Sequence, residues 1–224
     1  MTALLLTAAI LPGLFFSFLI FRLDEYKREK ILPLAVCFAL GMLITYPALH
    51  LQIYLDRLGF SEEGNLWQTF VFALVGVALS EELFKIICVY AYPFRLRFFD
   101  ERMDGIVYTV FVGMGFATLE NILYAFEFDL QTVLVRSFTA VPAHAVFGVI
   151  MGYYVGLAKF SNHRKFPLLL QGILYAVLLH AIYDFFLLQQ VYEELTGMAL
   201  LCLAAGFRIS RRLIRLHTDD EPRV

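Results

Sequence analysis

Three ionisable side chains lie close together in the middle of a long apolar stretch of the chain. Glu81, Glu82 and Lys85 interrupt the run 66–94, which is otherwise strongly apolar. An unpaired charge at the centre of a bilayer costs on the order of 2.5–3.5 kcal/mol on insertion scales. Charges placed here require partners, water or a metal ion, and they indicate a functional site. Glu81 and Lys85 are four residues apart, so an ion pair between them is predicted.

Further polar residues interrupt three later apolar segments. They are Glu120 and Asn121, which follow Phe116 in segment 104–126, His144 in segment 137–158, and His180 and Asp184 in segment 167–190. His180 and Asp184 are four apart and share one helix face. One buried carboxylate can be a packing contact between helices. A set of them on four helices is harder to explain by packing and predicts one shared site.

Carboxylates and imidazoles in one site support two kinds of hydrolytic chemistry. Together they can bind a divalent metal ion that activates water. Without a metal, a glutamate can deprotonate water while a histidine stabilises the oxyanion. The residue types leave both alternatives open.

The composition indicates an integral membrane protein. The chain has 224 residues, of which 60% are hydrophobic and 17% charged, whereas a soluble domain is about 45–50% apolar and about 25% charged. Apolar runs long enough to cross a bilayer recur along the chain. We therefore predict an all-α transmembrane bundle that forms one membrane domain over 1–224, with a motif core at about 70–190. No nucleic-acid partner is expected.

Seven transmembrane segments are predicted from the hydropathy pattern. They are about 3–21, 31–54, 66–94, 104–126, 137–158, 167–190 and 192–210. Residues 211–224 are polar and are predicted to form a cytoplasmic tail.

The basic residues predict how the chain is oriented. Lysines and arginines concentrate in every second connection, and the exceptions are Arg57, Arg136 and Lys85. Under the positive-inside rule this places the N-terminus outside and the C-terminus in the cytoplasm. With about 1.5 Å of rise per residue, the polar set lies roughly 9 to 20 Å below the outer ends of its helices. The site is therefore expected in the outer half to the middle of the membrane.

Several residues that could carry chemistry are given structural roles instead. The isolated cysteines Cys37, Cys88 and Cys202 are expected to be apolar packing residues. The histidines outside the cluster, which are His50, His163 and His217, are expected to be solvated. Small residues spaced four apart, Gly148, Gly152 and Gly156, predict close helix packing.

Four motifs in order resemble those of one protein family. Glu81 to Lys85 fits EExxK, 116–121 fits FxxxEN, His144 follows Pro142, and 180–184 fits HxxxD. The chain resembles the PrsW family of intramembrane proteases, which is related to the CAAX prenyl endopeptidase and bacteriocin-processing superfamily. The match covers about residues 70–190.

The resemblance implies an activity and roles for the site residues. The implied reaction is cleavage of a membrane-anchored, anti-sigma-factor-like protein near the external face of a bacterial cell membrane, as the first step of regulated proteolysis. Its partners would be a single-span substrate and the lipid bilayer. Glu81 or Glu82 would be the general base, with His144 and His180 as ligands or oxyanion stabilisers. Zinc is the possible cofactor, and its candidate ligands are Glu120, His144, His180 and Asp184. Supporting roles fall to Lys85, Phe116, Glu120, Asn121 and Asp184.

Two other classes of protein use comparable residues. A non-proteolytic immunity factor, scaffold or proton-coupled carrier could hold the same buried carboxylates, although a carrier is expected to show an inverted repeat, and none is evident. A prenyl-protein endopeptidase would act at the cytoplasmic face, which disagrees with the outward depth of the site.

Overall fold

The chain is described by a computed structural model that covers residues 2–24, 27–60 and 65–220. Over these ranges it is helical and contains no β-strand, as the sequence predicts. The α-helices are α1 Thr2–Leu23, α2 Ile31–Arg57, α3 Leu66–Val71, α4 Ser80–Ala91, α5 Met103–Glu127, α6 Leu130–Phe138, α7 Ala140–Lys159, α8 Lys165–Leu188 and α9 Met198–Asp220. Short 3₁₀ turns occur at Pro93–Arg95 and Glu193–Gly197.

Five helical stretches in the described ranges are long and apolar enough to cross a membrane. They are Ala3–Leu23, Ile31–Arg57, Met103–Glu127, Leu130–Lys159 and Lys165–Leu188, and each coincides with a predicted segment. The predicted segments 66–94 and 192–210 are also helical. The first is divided by a π-helical stretch and the second carries several arginines, so neither is among the five. The count of seven and the orientation stay predictions.

The helix that carries the paired glutamates is built from three pieces. Asn65 begins it with a capping box, since its side chain accepts from the Trp67 and Gln68 amides and the Gln68 side chain accepts from the Asn65 amide. The stretch Phe72–Leu79 between α3 and α4 is π-helical. The α-helix resumes at Ser80, whose hydroxyl donates to the Gly76 carbonyl at 2.8 Å. A π-helical segment widens the turn and is frequent at functional sites.

Helix α5 is the centre of the bundle, and glycines let its neighbours approach it. A Cβ on Gly105 would lie 2.4 Å from the Gly156 backbone nitrogen, and one on Gly152 would lie 2.6 Å from the Gly105 carbonyl oxygen. On another side, a Cβ on Gly115 would lie 1.9 Å from the Phe38 carbonyl oxygen of α2. The close packing predicted for the α7 glycines is therefore confirmed.

The connections rich in basic residues come together at one end of the bundle. An ion pair joins Lys27, between α1 and α2, to Asp100, just before α5. The Lys159 ammonium at the end of α7 donates to the carbonyls of Phe94 and Leu96, at 2.6 and 3.2 Å. These contacts place three of the four basic stretches on the same side.

Helix α9 brings the fourth basic stretch to this end. His217 is fully buried, its ring stacks on Tyr153, and its Nε2 lies 3.0 Å from the Tyr153 carbonyl oxygen. The expectation that His217 is solvated is wrong, because α9 continues to Asp220 and packs against α7. Residues 211–220 of the predicted tail are thus helical, and residues 221–224 lie outside the described ranges. His50 and His163 are exposed, as predicted.

Candidate active site

A cavity of about 480 Å³ brings together most of the predicted site residues. It lies where α2 and α8 end and where α7 begins, and α4, α5 and α6 complete its wall. Its polar lining residues are Gln52, Asp56, Glu81, Glu120, Tyr124, Arg136, His144, His180, Tyr183 and Asp184. Four separate sequence motifs therefore meet around one space, as predicted from the residues.

The ammonium group of Lys85 is the hub of the buried cluster. Its Nζ lies 2.7 Å from Glu82 Oε1, 3.3 Å from Glu81 Oε2 and 3.1 Å from His144 Nδ1. It also lies 4.3 Å from the centre of the Phe116 ring, a cation–π contact. The predicted pair between Glu81 and Lys85 is present, and Glu82 is the nearer partner. Phe116 therefore supports the site without contributing a polar group.

The contacts of His144 define its protonation. An ammonium group can only donate, so Nδ1 of His144 accepts from Lys85. The other nitrogen, Nε2, lies 3.1 Å from Glu120 Oε2 and is the atom that carries the proton. His144 is therefore a neutral imidazole whose N–H is held by the Glu120 carboxylate.

His180 differs from His144 because a carboxylate oxygen lies beside each of its ring nitrogens. Its Nδ1 lies 3.0 Å from Glu82 Oε1 and its Nε2 lies 3.1 Å from Asp184 Oδ2. Both partners are acceptors when ionised, so both nitrogens donate and the ring is an imidazolium. Phe147 stacks on the ring with centroids 4.4 Å apart, which fixes its plane.

The two adjacent glutamates differ in what they face. Glu81 lines the cavity, whereas Glu82 does not. Glu81 Oε1 accepts a hydrogen bond from the Gln52 amide at 3.0 Å. Sequence reasoning missed Gln52, although an amide side chain near the outer end of an apolar segment was a signal that could have found it.

Glu120 is held by a cation from α6. The Arg136 guanidinium lies 2.9 Å from Glu120 Oε2 and 3.7 Å from the centre of the Tyr124 ring. Its Nε donates to the Asn121 side-chain oxygen at 3.3 Å. Asn121 does not line the cavity; its amide donates to the Ala9 carbonyl of α1, at 3.4 Å. Asn121 therefore orients Arg136 and ties α5 to α1.

Charge in the site is nearly balanced. Apart from Asp56, which is exposed at the cavity's outer edge, its carboxylates are Glu81, Glu82, Glu120 and Asp184, and its cations are Lys85, Arg136 and the His180 imidazolium. One negative charge is left over when every carboxylate is ionised. The site therefore has capacity for one further cation or one proton, which suits a group that takes a proton during a reaction.

The donor set also fits a divalent metal. Glu81, Glu82, His144 and His180 are buried, and one ligand atom from each lies within 4.8 Å of the others. Carboxylate oxygens and imidazole nitrogens are zinc donors, and Glu82 Oε2 is buried without a hydrogen-bond partner in the described ranges. Without a metal, the Lys85 ammonium supplies positive charge to three of these residues and His180 carries a proton on both ring nitrogens, so His180 would have to lose one proton before it could be a ligand.

Two of the predicted metal ligands are not part of this group of four residues. Glu120 and Asp184 each contact the Nε2 atom of a histidine, on His144 and His180 respectively. They lie outside the group of four that could share an ion. In that arrangement the two carboxylates orient the imidazole rings, as carboxylates behind metal-bound histidines commonly do.

An apolar helical bundle with buried glutamates, histidines and a lysine around a cavity defines a class of protein, the membrane-embedded hydrolases. A family model described as PrsW family intramembrane metalloprotease matches residues 29–208. The chain belongs to the PrsW protease family.

Relatives in bacteria agree with this assignment over most of the chain. Protease PrsW of Geobacillus kaustophilus is 36% identical over 184 residues, which are 82% of this chain and 80% of the relative. Protease PrsW of Bacillus subtilis is 34% identical, with 82% of each chain covered. Protease PrsW of Shouchella clausii is 31% identical, with 92% of this chain and 96% of the relative covered. No solved structure matches the chain.

The family and the fold together establish what kind of molecule this is. The chain is a peptidase and an integral protein of a bacterial membrane. The family is described as one of metalloproteases, and the donor set at the cavity can hold a metal.

Proposed function

We propose that this protein cleaves a single-span membrane protein near the external membrane face, with Glu81 as the general base. The observation that supports this most directly is the difference between the two glutamates. Glu81 lines the cavity and has Gln52 and Lys85 as its hydrogen-bond partners. Glu82 is turned away from the cavity and bonds to Lys85 and His180. Of these two glutamates, only Glu81 lies beside a space that can hold water. Its carboxylate is therefore placed to take a proton from a water molecule.

The proposed reaction uses the neighbouring side chains in fixed roles. Glu81 takes a proton from a water molecule, and the water oxygen attacks the carbonyl carbon of the scissile peptide bond. The tetrahedral oxyanion is stabilised by the Arg136 guanidinium, which lines the cavity and has N–H donors beyond those bonded to Glu120 and Asn121. The protonated Glu81 then gives its proton to the leaving amine as the C–N bond breaks. Gln52 keeps Glu81 directed at the cavity throughout.

Lys85, Glu82 and His180 keep this arrangement in place. The Lys85 ammonium holds Nδ1 of His144 as an acceptor, which keeps the His144 proton on Nε2. Glu82 positions both Lys85 and His180. A divalent metal held by Glu82, His144 and His180, three of the four possible ligands, would supply Lewis acidity for polarising the peptide carbonyl and would leave Glu81 as the base.

The position of the cavity supports a substrate at the external side. Its lining reaches Asp56 and Leu188, at the ends of α2 and α8. This end is opposite to the one where the basic connections gather. Under the positive-inside rule it is the external end. We further propose that the substrate is a membrane-anchored, anti-sigma-factor-like protein and that cleavage is the first step of regulated proteolysis.

Reconstitution with a candidate single-span substrate tests the proposal. Purified protein in lipid vesicles is expected to cleave it, and Glu81→Gln is expected to lower the rate by about 100-fold or more, because a general base contributes about 10²–10⁴-fold. The measurement is the appearance of the cleaved fragment with time. Adding a chelator and then zinc distinguishes metal-dependent from metal-free chemistry.

Asp129→Asn is the matched control, because Asp129 is an exposed carboxylate that begins α6 outside the cavity. It is expected to cleave at the wild-type rate. Full activity of folded Glu81→Gln would refute the assignment of Glu81, and activity lost instead in Glu82→Gln alone would transfer the role to Glu82.

A further inference from the structure

A second buried group of carboxylates lies at the end of the bundle away from the cavity. Asp24, Glu101 and Asp104 are all buried, and one oxygen from each lies within 4.8 Å of the others. Asp104 precedes Glu120 by sixteen residues on α5, which is about 24 Å along the helix axis. This group is therefore separate from the candidate active site.

Each aspartate uses one oxygen to hold the backbone. Asp24 Oδ2 accepts from the Glu29 amide at 3.1 Å. Asp104 Oδ2 accepts from the amides of Asp100 and Glu101, both at 2.8 Å. These bonds fix the connection that leads to α2 and the turn that begins α5, and they determine where the carboxylates lie.

The second carboxylate oxygen of Asp24 and of Asp104 does not bind the backbone. Asp24 and Asp104 are both 0% exposed, and the Oδ1 atom of each is buried and accepts no hydrogen bond in the described part of the chain. Within those ranges neither aspartate has an ion pair; a neighbouring ion pair, between Lys27 and Asp100, lies at the surface. Two side chains of this group thus each have one buried oxygen without a hydrogen-bond partner among the described residues.

Glu29 adds a fourth carboxylate to the same surroundings. Its Oε2 accepts a hydrogen bond from the Tyr108 hydroxyl. Carboxylates buried close together repel one another when ionised, unless a cation or shared protons neutralise them.

We propose that Asp24, Glu101 and Asp104 bind a hard divalent cation of the Ca²⁺ or Mg²⁺ class that joins the α1–α2 connection to the start of α5. All donors are carboxylate oxygens, which such cations prefer, and no imidazole or thiolate is among the three ligands. The cation neutralises a cluster that otherwise keeps several carboxylates buried beside one another. Its effect is on the stability of this end of the bundle.

Thermal unfolding of the full chain in detergent tests the site. Protein freed of metal by a chelator and then dialysed is titrated with CaCl₂ and, separately, with MgCl₂. The midpoint temperature is expected to rise by a few degrees as the concentration of one of the cations passes its dissociation constant, because a ligand bound only to the folded state stabilises it. Asp104→Asn is expected to abolish the rise, and it keeps the oxygen that accepts from the two backbone amides.

Two controls separate this site from the cavity and from surface charge. Glu82→Gln alters the catalytic group and is expected to keep the full response, while Asp129→Asn removes an exposed carboxylate elsewhere and is also expected to keep it. Terbium provides an independent probe, because Tyr108 contacts Glu29 and is placed to sensitise terbium emission. Asp104→Asn is expected to lose that emission.

The wild-type chain and Glu82→Gln test the proposal even if Asp104→Asn does not fold. A wild-type chain that shows no midpoint shift with either cation and no terbium emission would overturn it, and would mean that shared protons neutralise the carboxylates. A response lost in Glu82→Gln would assign the cation to the cavity and would also overturn it. Activity is not measured, so failure of the proposed protease mechanism does not affect the result.

Discussion

At the scale of single residues, the site depends on two neighbouring glutamates with different surroundings. Successive residues of a helix point about 100° apart, so Glu81 can face the cavity while Glu82 faces α8. Lys85 contacts both glutamates at distances of 3.3 and 2.7 Å. One cation thus connects the carboxylate that we assign to proton transfer with the carboxylate that holds His180.

Gln52 offers a test of how precisely Glu81 must be held. Gln52→Ala removes the amide that donates to Glu81 Oε1 at 3.0 Å, and the carboxylate then has more freedom to turn from the cavity. We expect kcat to fall by about 10-fold, an effect within the range found when neighbours of a functional group are removed, while KM changes little. The measurement is steady-state cleavage of the single-span substrate.

Gln171→Ala is the control for this experiment, because Gln171 is on α8 but does not line the cavity. A drop in kcat of the same size in Gln171→Ala would mean that loss of any amide in the bundle disturbs the protein. An unchanged kcat in Gln52→Ala would show that Lys85 alone positions Glu81.

Much of the site could be predicted at this scale, and the reason is the cost of burying charge. Glu81, Glu120 and His180 stand out because an apolar segment leaves so few explanations for them. Gln52 was missed because an uncharged amide gives a much weaker signal than a carboxylate. Arg136 was placed in a connection and noted as a position that fits the resemblance, but it was given no role in the site, since nothing in the sequence shows that α6 turns back to deliver its guanidinium to Glu120.

At the scale of elements, the π-helical stretch Phe72–Leu79 comes directly before the glutamates. A π-turn rotates everything after it relative to a regular α-helix. The directions of Glu81 and Glu82 are therefore set by backbone hydrogen bonding upstream of them. The apolar sequence of this stretch gives no sign of the change, and only Gly76 interrupts it, so this feature could not be predicted.

The contact between α5 and α7 provides a prediction for helix packing. Gly152→Ala adds a Cβ that would lie 2.6 Å from the Gly105 carbonyl oxygen and 2.6 Å from the Ile106 Cα. Because these are backbone atoms, the helices must separate, and we expect a loss of about 1–3 kcal/mol in the free energy of unfolding. Cleavage is also expected to fall, since α7 carries His144 and α5 carries Glu120. Unfolding in detergent measures the first effect.

Gly197→Ala is the matched substitution for this test, because nothing lies within 4 Å of a Cβ added there. It is expected to unfold like the wild type. Equal stability of Gly152→Ala and the wild type would contradict the close approach of α5 and α7.

At the scale of the whole molecule, α5 links the two polar ends of the bundle. Asp104 at its beginning belongs to the proposed cation site, and Glu120 in its last turns belongs to the cavity. The remainder of the helix packs against α1, α2 and α7. The sequence predicted the site at the cavity end. It did not predict the carboxylate group at the other end, because Asp24 and Glu101 lie in short connections, where acidic residues are ordinary.

The arrangement of the connections favours a membrane passage by the helical run that starts at Leu66, which is not among the five apolar stretches. Phe94 and Leu96 accept from Lys159 at the basic end of the bundle, whereas Glu81 lines a cavity that reaches the opposite end. The helical run that starts at Leu66 therefore leads from one end to the other. If this run did not cross the membrane, the stretch around Arg97 would remain on the external side.

Chemical labelling of single cysteines tests whether this run crosses the membrane. In a background in which Cys37, Cys88 and Cys202 are replaced by alanine, Trp67→Cys and Arg97→Cys each place one thiol at an exposed position flanking this run. Seven passages predict that a membrane-impermeant maleimide labels Trp67→Cys on intact cells and labels Arg97→Cys only after permeabilisation. Asn162→Cys, at an exposed position in the connection before α8, is the cytoplasmic reference. Labelling of both Trp67→Cys and Arg97→Cys on intact cells would instead mean that residues 66–91 do not cross, because a run that begins and ends on the same side cannot span the bilayer.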